Sequence, residues 1–471
     1  LFAGGLAGDE GGTGPDPLGV PPALAGLRRQ LLLTRLVLAR DGGTSPDQAA
    51  NLSLELARLL DQIHTERLTF DGLEGLAPDA FAEHWQETLR FLKILTHPWP
   101  KVLAEEGAID WADRRNRLFD AQARAWTADP PTDPVIAAGS TGSIPATADL
   151  LAVVARLPHG QVVLPGLDLG AGPEAWEALE ETHPQFGMAR LLAHIGVKRE
   201  NVKPWKAPGF KARPSARARL VNATLTPADA PVPALERKEI KKALSGIFRM
   251  DCPSPQEEAA VIALIMRRTL EQPEKTAALV TPDRALARRV SAELARWNIP
   301  IDDSAGRPLA QTPPGAFLRL TARMAADRLA PVSLLAALKH PLAAGGMATG
   351  AFRARVRALE RTALRGPRPG PGLEGLADAL KQDPGTGKKP ASGLNTFLKT
   401  LDGILAPFTG VMDGPPAPFP DVLTAHVRMT EDLAATGGED GPARLWAGDA
   451  GEAAANFVAE LKDAGRDLGT V

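Results

Sequence analysis

Apolar residues recur at helical spacing through the first quarter of the chain. Between residues 21 and 126, segments such as LAGLRRQLLLTRLVLAR, QAANLSLELARLLDQIH and WADRRNRLFDAQARAW place apolar side chains on one helical face. Ser45-Pro46-Asp47 and Asp110 are residues typical of helix starts. Residues 1–130 are therefore predicted to form a helical block.

The periodicity changes after a proline-rich break at residues 130–134. Residues 135–138 form a short apolar run bounded by Pro134 and Gly139, which predicts a buried strand. Pro145 and the apolar spacing up to residue 157 predict a helix with Ser143 placed to cap it, and residues 162–164 predict a second buried strand. Strand, helix and strand in this order predict a parallel βαβ unit, at the edge of an α/β sheet spanning residues 131–195.

Three further regions follow from the same pattern. Residues 196–249 are basic and proline-rich, which predicts a linker or an extended crossing. Residues 250–345 alternate predicted helices with short predicted strands at 277–280 and 298–301, which predicts a second α/β segment. Residues 346–471 are predicted to be helical, with flexible Pro/Gly-rich breaks. The fold class predicted is α/β and helix-rich overall.

Composition and charge exclude several classes of protein. Charged residues make up 23% and hydrophobic residues 44% of the chain, as in ordinary globular proteins, and no apolar run is long enough to span a membrane. We therefore expect a soluble protein with no membrane partner. The single cysteine, Cys252, excludes an internal disulfide framework and any all-cysteine metal site, which suits the cytoplasm. With a net charge of −2, any polyanion must bind at local basic patches.

The turn between residues 139 and 145 is the first candidate site. A helix N-terminus that points at the end of a strand can bind an anion. The spacing is not that of a nucleophile elbow, and Ser143 stands where a phosphate-binding loop has its lysine. Two alternatives remain: Ser140, Thr141 and Ser143 contact a nucleic-acid phosphate, or the turn only joins a strand to a helix.

Two other motifs are set aside. Gly-Thr-Gly-Lys at 385–388 is similar to a nucleotide-binding loop, but Gln382 and Lys389 stand where that motif needs a glycine and a Ser or Thr. A flexible surface loop is predicted there. The eight histidines form neither a His-x-x-x-His motif nor a Cys/His cluster, so no metal site and no catalytic centre are predicted.

A basic segment between residues 198 and 219 is the second candidate site. Cations interleaved with aromatic side chains are typical of sites for single-stranded nucleic acid. A solvated linker has a similar composition, so both interpretations stay open. The candidate residues are Lys203, Trp205, Lys206, Lys211, Arg213, Arg217 and Arg219. A second basic cluster, of arginines between residues 353 and 368, favours an exposed helix face.

Several long phrases of the sequence resemble one family. They are AAGSTGSIPATADLL, VVLPGLD, HPQFG, the stretch ALVTPDRALARRVSAELARW that continues to residue 320, LLAALKHPL, and HWQETLRFLKILTHPWPKVLAEEG with the residues that follow it up to 118. Together they resemble the AddB subunit of bacterial double-strand-break repair helicase-nucleases, the alphaproteobacterial type above all. The resemblance is weakest before about residue 45 and after about residue 410.

This resemblance implies a superfamily 1 helicase-like architecture, with two RecA-like parallel-sheet domains and large helical insertions. Residues 131–195 would close the first RecA-like domain, and residues 250–345 would open the second. It also implies an AddA-type helicase-nuclease partner, DNA as ligand, and a nucleoid-associated place in the cytoplasm. The parent complex would use ATP and Mg²⁺, and an iron–sulfur cluster would belong to a nuclease domain beyond this fragment, which lacks both ends.

The departures from the family are informative. Active helicases of this superfamily have an arginine directly after the first strand of the second domain, where this chain has Thr281-Pro282-Asp283. Arg284, Arg288 and Arg289 follow and are further candidates for DNA contact. We therefore expect a DNA-binding and scaffold portion without a complete catalytic centre. The alternative is an ATP-binding subunit that contributes half of an active nucleotide cleft.

Overall fold

The computed structural model of the protein describes residues 19–40, 43–70, 82–205, 215–381 and 393–470. Contacts divide the chain into two units. The first unit takes the described parts of 1–167, 187–201 and 308–471, and the second takes those of 168–186 and 202–307.

The first unit begins with the helical part that the sequence predicts. Its helices are α1 (Gly26–Arg40), α2 (Pro46–Thr65), α3 (Ala82–Thr96), α4 (Pro98–Glu105) and α5 (Trp111–Ala128). Leu33, Val37 and Trp99 are fully buried in a core shared by α1, α2, α3 and α4. The helix starts predicted at Ser45 and Asp110 are confirmed, since both are N-cap residues in the structure. Apolar periodicity is enough to define this part because each helix buries one face.

Asp110 is the buried charge of this helical part. Its side chain is 2% exposed and accepts a hydrogen bond from the Trp99 indole nitrogen at 3.0 Å. The Arg29 Nε lies 2.8 Å from the carboxylate and the His64 Nε2 lies 3.5 Å from it. Burial alone raises the pKa of Asp110, but His64, Arg29 and Trp99 outweigh it and hold that pKa below its usual range. The carboxylate therefore stays ionised while it joins α1, α2, α4 and α5.

A parallel βαβ unit follows the helical part. Strand β1 (Val135–Ala138) pairs in parallel with β2 (Gly160–Val163), and α6 (Pro145–Val154) connects them. Leu151 of α6 packs with Leu191 of α8 (Phe186–Ile195) against the covered face of the sheet. The opposite face is open, since Ile136 is 56% exposed. The predicted βαβ unit is therefore confirmed, but the prediction that β1 is buried is wrong for this face, which carries no covering layer in the described structure.

The second unit is built around a pair of helices. It contains α7 (Pro173–Glu177), α9 (Ala216–Thr224), α10 (Arg237–Ala243), α11 (Pro255–Leu270) and α12 (Arg284–Ala295). Its small core joins Ala259 and Ala263 of α11 to Val290 and Leu294 of α12. Helices α9 and α10 lie within residues 196–249, so this range is not an unbroken linker.

The strands predicted at 277–280 and 298–301 are not formed in the described structure. Leu279, Ile299 and Ile301 do pack against the core of the second unit, while Val280 is 94% exposed. The backbone there belongs to no strand, and the only paired strands among the described residues are β1 and β2. A short, largely apolar run indicates an extended segment, but a strand also requires a neighbour to share its backbone hydrogen bonds.

The C-terminal part of the first unit is helical. Its helices are α13 (Pro313–Ala326), α14 (Pro331–Leu338), α15 (Thr349–Leu359), α16 (Gly372–Lys381), α17 (Leu394–Met412), α18 (Phe419–Ala434), α19 (Gly441–Leu445) and α20 (Gly448–Ala464). Phe317, Phe352 and Leu401 are fully buried in a core that most of these helices share. None of the helices in the described ranges is both long and apolar enough to cross a membrane. The structure confirms a helix-rich chain with one parallel βαβ unit.

Replacing Asp110 tests its place in the fold. We expect Asp110→Asn to lower the free energy of unfolding by about 3 kcal/mol, because the buried Arg29 Nε loses its charged acceptor and only the partly exposed Asp61 still pairs with that guanidinium. Asp113→Asn is the matched control, since Asp113 forms a half-exposed pair with Arg117 on one helix face. This control is expected to cost less than about 0.5 kcal/mol in urea denaturation near neutral pH.

The same pair of variants tests the pH dependence. Because the pKa of Asp110 is lower in the folded state than in the unfolded chain, its contribution is complete above the unfolded value of about 3.9. The contribution is lost as the pH falls through the depressed folded-state pKa. The stability difference between the wild type and Asp110→Asn should therefore shrink at acidic pH. A difference that stays constant from neutral pH down to about pH 2 would contradict this assignment.

Candidate nucleic-acid interface

The turn between β1 and α6 lies at the carboxyl end of a parallel strand, where open α/β sheets bind their ligands. Ser140 is half-buried, and its hydroxyl accepts a hydrogen bond from the Gly142 amide at 3.2 Å. Thr141 is half-buried and Ser143 is exposed. The turn therefore offers the hydroxyls of Thr141 and Ser143 to a ligand, while Ser140 serves the turn itself.

Helix α6 begins differently from the prediction. Its N-cap residue is Ile144, and no side chain caps it, so the prediction that Ser143 caps the helix is wrong. Ala146, in the first turn of α6, is fully buried, which keeps its amide from a ligand. Pro145 has no amide hydrogen. The helix start therefore contributes less to anion binding than the sequence suggested.

Two glycines fix the shape of this turn. Gly139 and Gly142 have φ values of 84° and 62°, in the left-handed region that favours glycine. A Cβ atom at Gly142 would lie 2.7 Å from the Leu191 Cδ1 atom, whereas one at Gly139 would meet nothing within 4 Å. Gly142 is therefore required both by its backbone angles and by the close approach of α8.

An ion network holds α6 in place beneath the turn. Asp149 of α6 lies 2.8 Å from the Arg67 guanidinium and 2.8 Å from the His194 Nε2. Arg67 also pairs with Asp120 of α5. These contacts connect the βαβ unit to the helical part and to α8, so the position of the turn depends on both.

The basic segment is divided by the structure. Lys206, Lys211 and Arg213 lie outside the described residues, as does the 385–388 motif. Arg217 donates to the Ala243 carbonyl at 3.0 Å and to the Ser245 carbonyl at the end of α10, and Arg219 pairs with Glu239. These two arginines are occupied by contacts inside the second unit.

Lys203 and Trp205 remain available in the same segment. Both are exposed, Trp205 at 52%, and neither has a hydrogen-bond or ion-pair partner in the described part of the chain. They supply the cation and the stacking surface that the sequence analysis requires of a single-strand site.

The arginines at the start of α12 are divided in the same way. Arg284 forms a two-pronged pair with Asp303, at 2.9 and 2.6 Å, and this contact holds the pKa of Asp303 below its usual range. Arg288 and Arg289 are exposed and without an ion-pair partner in the described residues. Arg284 therefore stabilises its own unit, and Arg288 and Arg289 can meet a ligand.

The segment before α12 does not fit a nucleotide contact. The Thr281 hydroxyl accepts a hydrogen bond from the Asp283 amide at 3.0 Å, and the Asp283 carboxylate accepts from the Ala285 amide at 2.7 Å. Both side chains are used to start the helix. In the described ranges, no group of three or more His, Cys, Asp or Glu side chains could hold a metal ion.

Sequence reasoning missed a cavity of about 490 Å³ beside α15 in the first unit. Its floor includes Leu338 and Val356, which are buried in the helical core. Its charged lining is Lys339, Arg353, Arg357, Glu360, Arg361 and Arg365. The arginine cluster that was predicted to be an exposed helix face therefore lines a concave surface with a large excess of positive charge.

A π turn keeps these arginines on one side. Arg353, Arg357, Arg361 and Arg365 follow one another at intervals of four, and a regular α-helix rotates about 40° at each such step. Residues Glu360–Leu364 instead form a wider π turn that counteracts this drift. Like charges four apart destabilise a helix by about 0.2–0.5 kcal/mol per pair. The four-residue interval was the signal in the sequence that could have indicated this cavity.

Alanine at the two turn glycines separates backbone strain from crowding. We expect Gly139→Ala to cost about 1 kcal/mol, the penalty of a left-handed backbone for a residue with a Cβ. Gly142→Ala should cost about 1–3 kcal/mol more, because the buried Leu191 side chain has to move. Urea denaturation of the two variants measures the difference. Equal losses of unfolding free energy in the two variants would show that the Leu191 side chain of α8 does not crowd Gly142.

No protein-family model matches the chain, and a search of curated proteins finds no match to it.

Proposed function

We propose that this chain is a DNA-binding and scaffold portion of an AddB-type subunit, in a helicase-nuclease that processes double-strand breaks for recombinational repair. An AddA-type partner would supply the motor chemistry, with ATP and Mg²⁺ bound outside the described residues. This proposal rests on the sequence resemblance and on one structural observation. The observation is the parallel βαβ unit, with its hydroxyl-bearing turn at the carboxyl end of β1.

The βαβ unit supports the proposal through its geometry. In open parallel sheets, ligands bind outside the carboxyl ends of the strands. Thr141 and Ser143 are at that end in the structure, and hydroxyls are common donors to nucleic-acid phosphates. We propose that β1, α6 and β2 form the edge of a first RecA-like domain, and that this turn contacts the DNA backbone.

The second unit supports the proposal through its unpaired cations. Lys203, Arg288 and Arg289 are exposed and have no ion-pair partner in the described residues, and Trp205 offers an aromatic face. Cations release counterions from the phosphate backbone, and aromatic rings stack on unpaired bases. We propose that the unit made by α11 and α12, with extended segments at 277–280 and 298–301, belongs to a second RecA-like domain.

A double variant in the basic segment tests DNA binding. Lys203→Ala with Trp205→Ala should weaken binding of a single-stranded oligonucleotide at least tenfold, because stacking contributes about 1–3 kcal/mol per base. The dependence of log affinity on log salt should flatten by about 0.7, since one phosphate contact is lost. Fluorescence anisotropy at several salt concentrations measures both quantities.

A matched control is available in the helical part. Lys101 and Trp111 are another exposed cation and aromatic residue, with Trp111 38% exposed. Lys101→Ala with Trp111→Ala should leave both affinity and salt slope unchanged. If both double variants behave like the wild type, the basic segment takes no part in DNA binding. If both weaken binding equally, the effect is one of overall charge.

A further inference from the structure

The arginine-lined cavity beside α15 carries more positive charge than its internal ion pairs neutralise. Glu360 pairs with Lys339 at 2.7 Å and with Arg365 at 3.1 Å. These contacts, Lys339 first, hold the pKa of Glu360 below its usual range, so its carboxylate is ionised at neutral pH. Among the described residues that line the cavity, Glu360 is the only acidic one.

Three arginines of the same cavity have no ion-pair partner in the described part of the chain. Arg353, Arg357 and Arg361 are exposed, and each lies one helical turn from the next. Charge repulsion between these arginines favours a regular α-helix, because its rotation of about 40° per four residues moves them apart. The π turn instead returns the later arginines towards the earlier ones. π turns are frequent at functional sites, which makes this one an observation independent of the charges.

The supporting elements make the cavity a fixed site. Leu338, at the end of α14, and Val356, on α15, are almost fully buried and anchor its floor in the core. The arginines therefore project from rigid helices, whose geometry does not depend on a loop. A volume of about 490 Å³ is typical of sites for small molecules.

The chemistry of the lining selects the ligand class. Guanidinium groups bind phosphate oxygens through two parallel hydrogen bonds, and each phosphate offers several acceptor oxygens. Three unpaired guanidinium groups within about two helical turns require an anion that concentrates several charges in a small volume. A single phosphate satisfies one or two of them, while linked phosphates satisfy all three.

We infer that this cavity binds a compact polyphosphate group, either as inorganic polyphosphate or as the phosphate chain of a nucleoside triphosphate. This site shares no residue with the proposed DNA contacts at 140–143, in the basic segment and at α12. It involves no nuclease or motor step. A failure of this inference would therefore leave the proposed function unaffected. A failure of the proposed function would likewise leave this inference unaffected.

The test titrates the whole chain with inorganic tripolyphosphate by isothermal titration calorimetry. The wild type should bind tripolyphosphate at least tenfold more tightly than orthophosphate, and tripolyphosphate should raise its thermal unfolding temperature. The variant R353Q/R357Q/R361Q should lose at least tenfold in affinity and lose the thermal shift. Circular dichroism checks its fold, which should be intact because the three side chains are exposed.

A control variant removes the same charge elsewhere. Arg124, Arg268 and Arg428 are also exposed, do not line the cavity and are not among the proposed DNA contacts. R124Q/R268Q/R428Q should keep tripolyphosphate affinity within twofold of the wild type. Equal losses in the two variants would overturn the inference, because the anion would then respond only to overall charge. Wild-type protein that does not bind tripolyphosphate would overturn it as well.

Two further titrations identify the source of the phosphates. If adenosine triphosphate binds with the same affinity as tripolyphosphate and adenosine alone does not bind, the site recognises the phosphate chain itself. Adenosine triphosphate that binds at least tenfold more tightly assigns it to a nucleotide. A short single-stranded oligonucleotide that displaces tripolyphosphate from the wild type with higher affinity would overturn the inference in favour of a nucleic-acid backbone.

Discussion

The buried carboxylate of Asp110 is the interaction on which the first unit depends. Trp99, Arg29 and His64 converge on it from three different helices, and its own residue starts α5. A charge removed from water requires such partners, so these helices have one mutual arrangement. From the end of α2, the Arg67 network extends this arrangement to α6 and so to the turn that follows β1. A buried charge thereby helps to position an exposed loop.

The fold decides which cations remain available for ligands. Arg217, Arg219 and Arg284 belong to basic stretches of the sequence, yet each is engaged within its own unit. Arg217 donates to the carboxyl end of a helix, where a positive charge is favourable. By contrast, Arg353, Arg357 and Arg361 lack such contacts in the described structure. Positive charge in the sequence is therefore a poor guide to a binding site until internal ion pairs are known.

Local pattern was enough to predict the helices of the helical block, the βαβ unit and the start of α5, because each depends on neighbours close in sequence, but it missed α9 and α10 in the segment predicted to be a linker. The pattern was not enough to predict the backbone at 277–280, because a strand there depends on a partner distant in sequence. It also failed at Ser143, because the N-cap position of the helix is the next residue, Ile144, whose side chain cannot cap it. The arginine cavity was also missed. Its residues were visible at intervals of four, but their convergence depends on a π turn that no propensity indicates. The two RecA-like domains of the resemblance stay a proposal.

The π turn at Glu360–Leu364 also makes the cavity sensitive to chain length. Such a turn accommodates one extra residue in an otherwise regular helix, and each residue of an α-helix rotates its successors by about 100°. Loss of a single residue from this turn would restore a regular α-helix and leave Arg365 on the side of Arg353 and Arg357. Gain of one residue in a regular α-helical turn would instead rotate Arg365 by about 100°, so relatives with one insertion here would keep every arginine and yet present them on two separate faces.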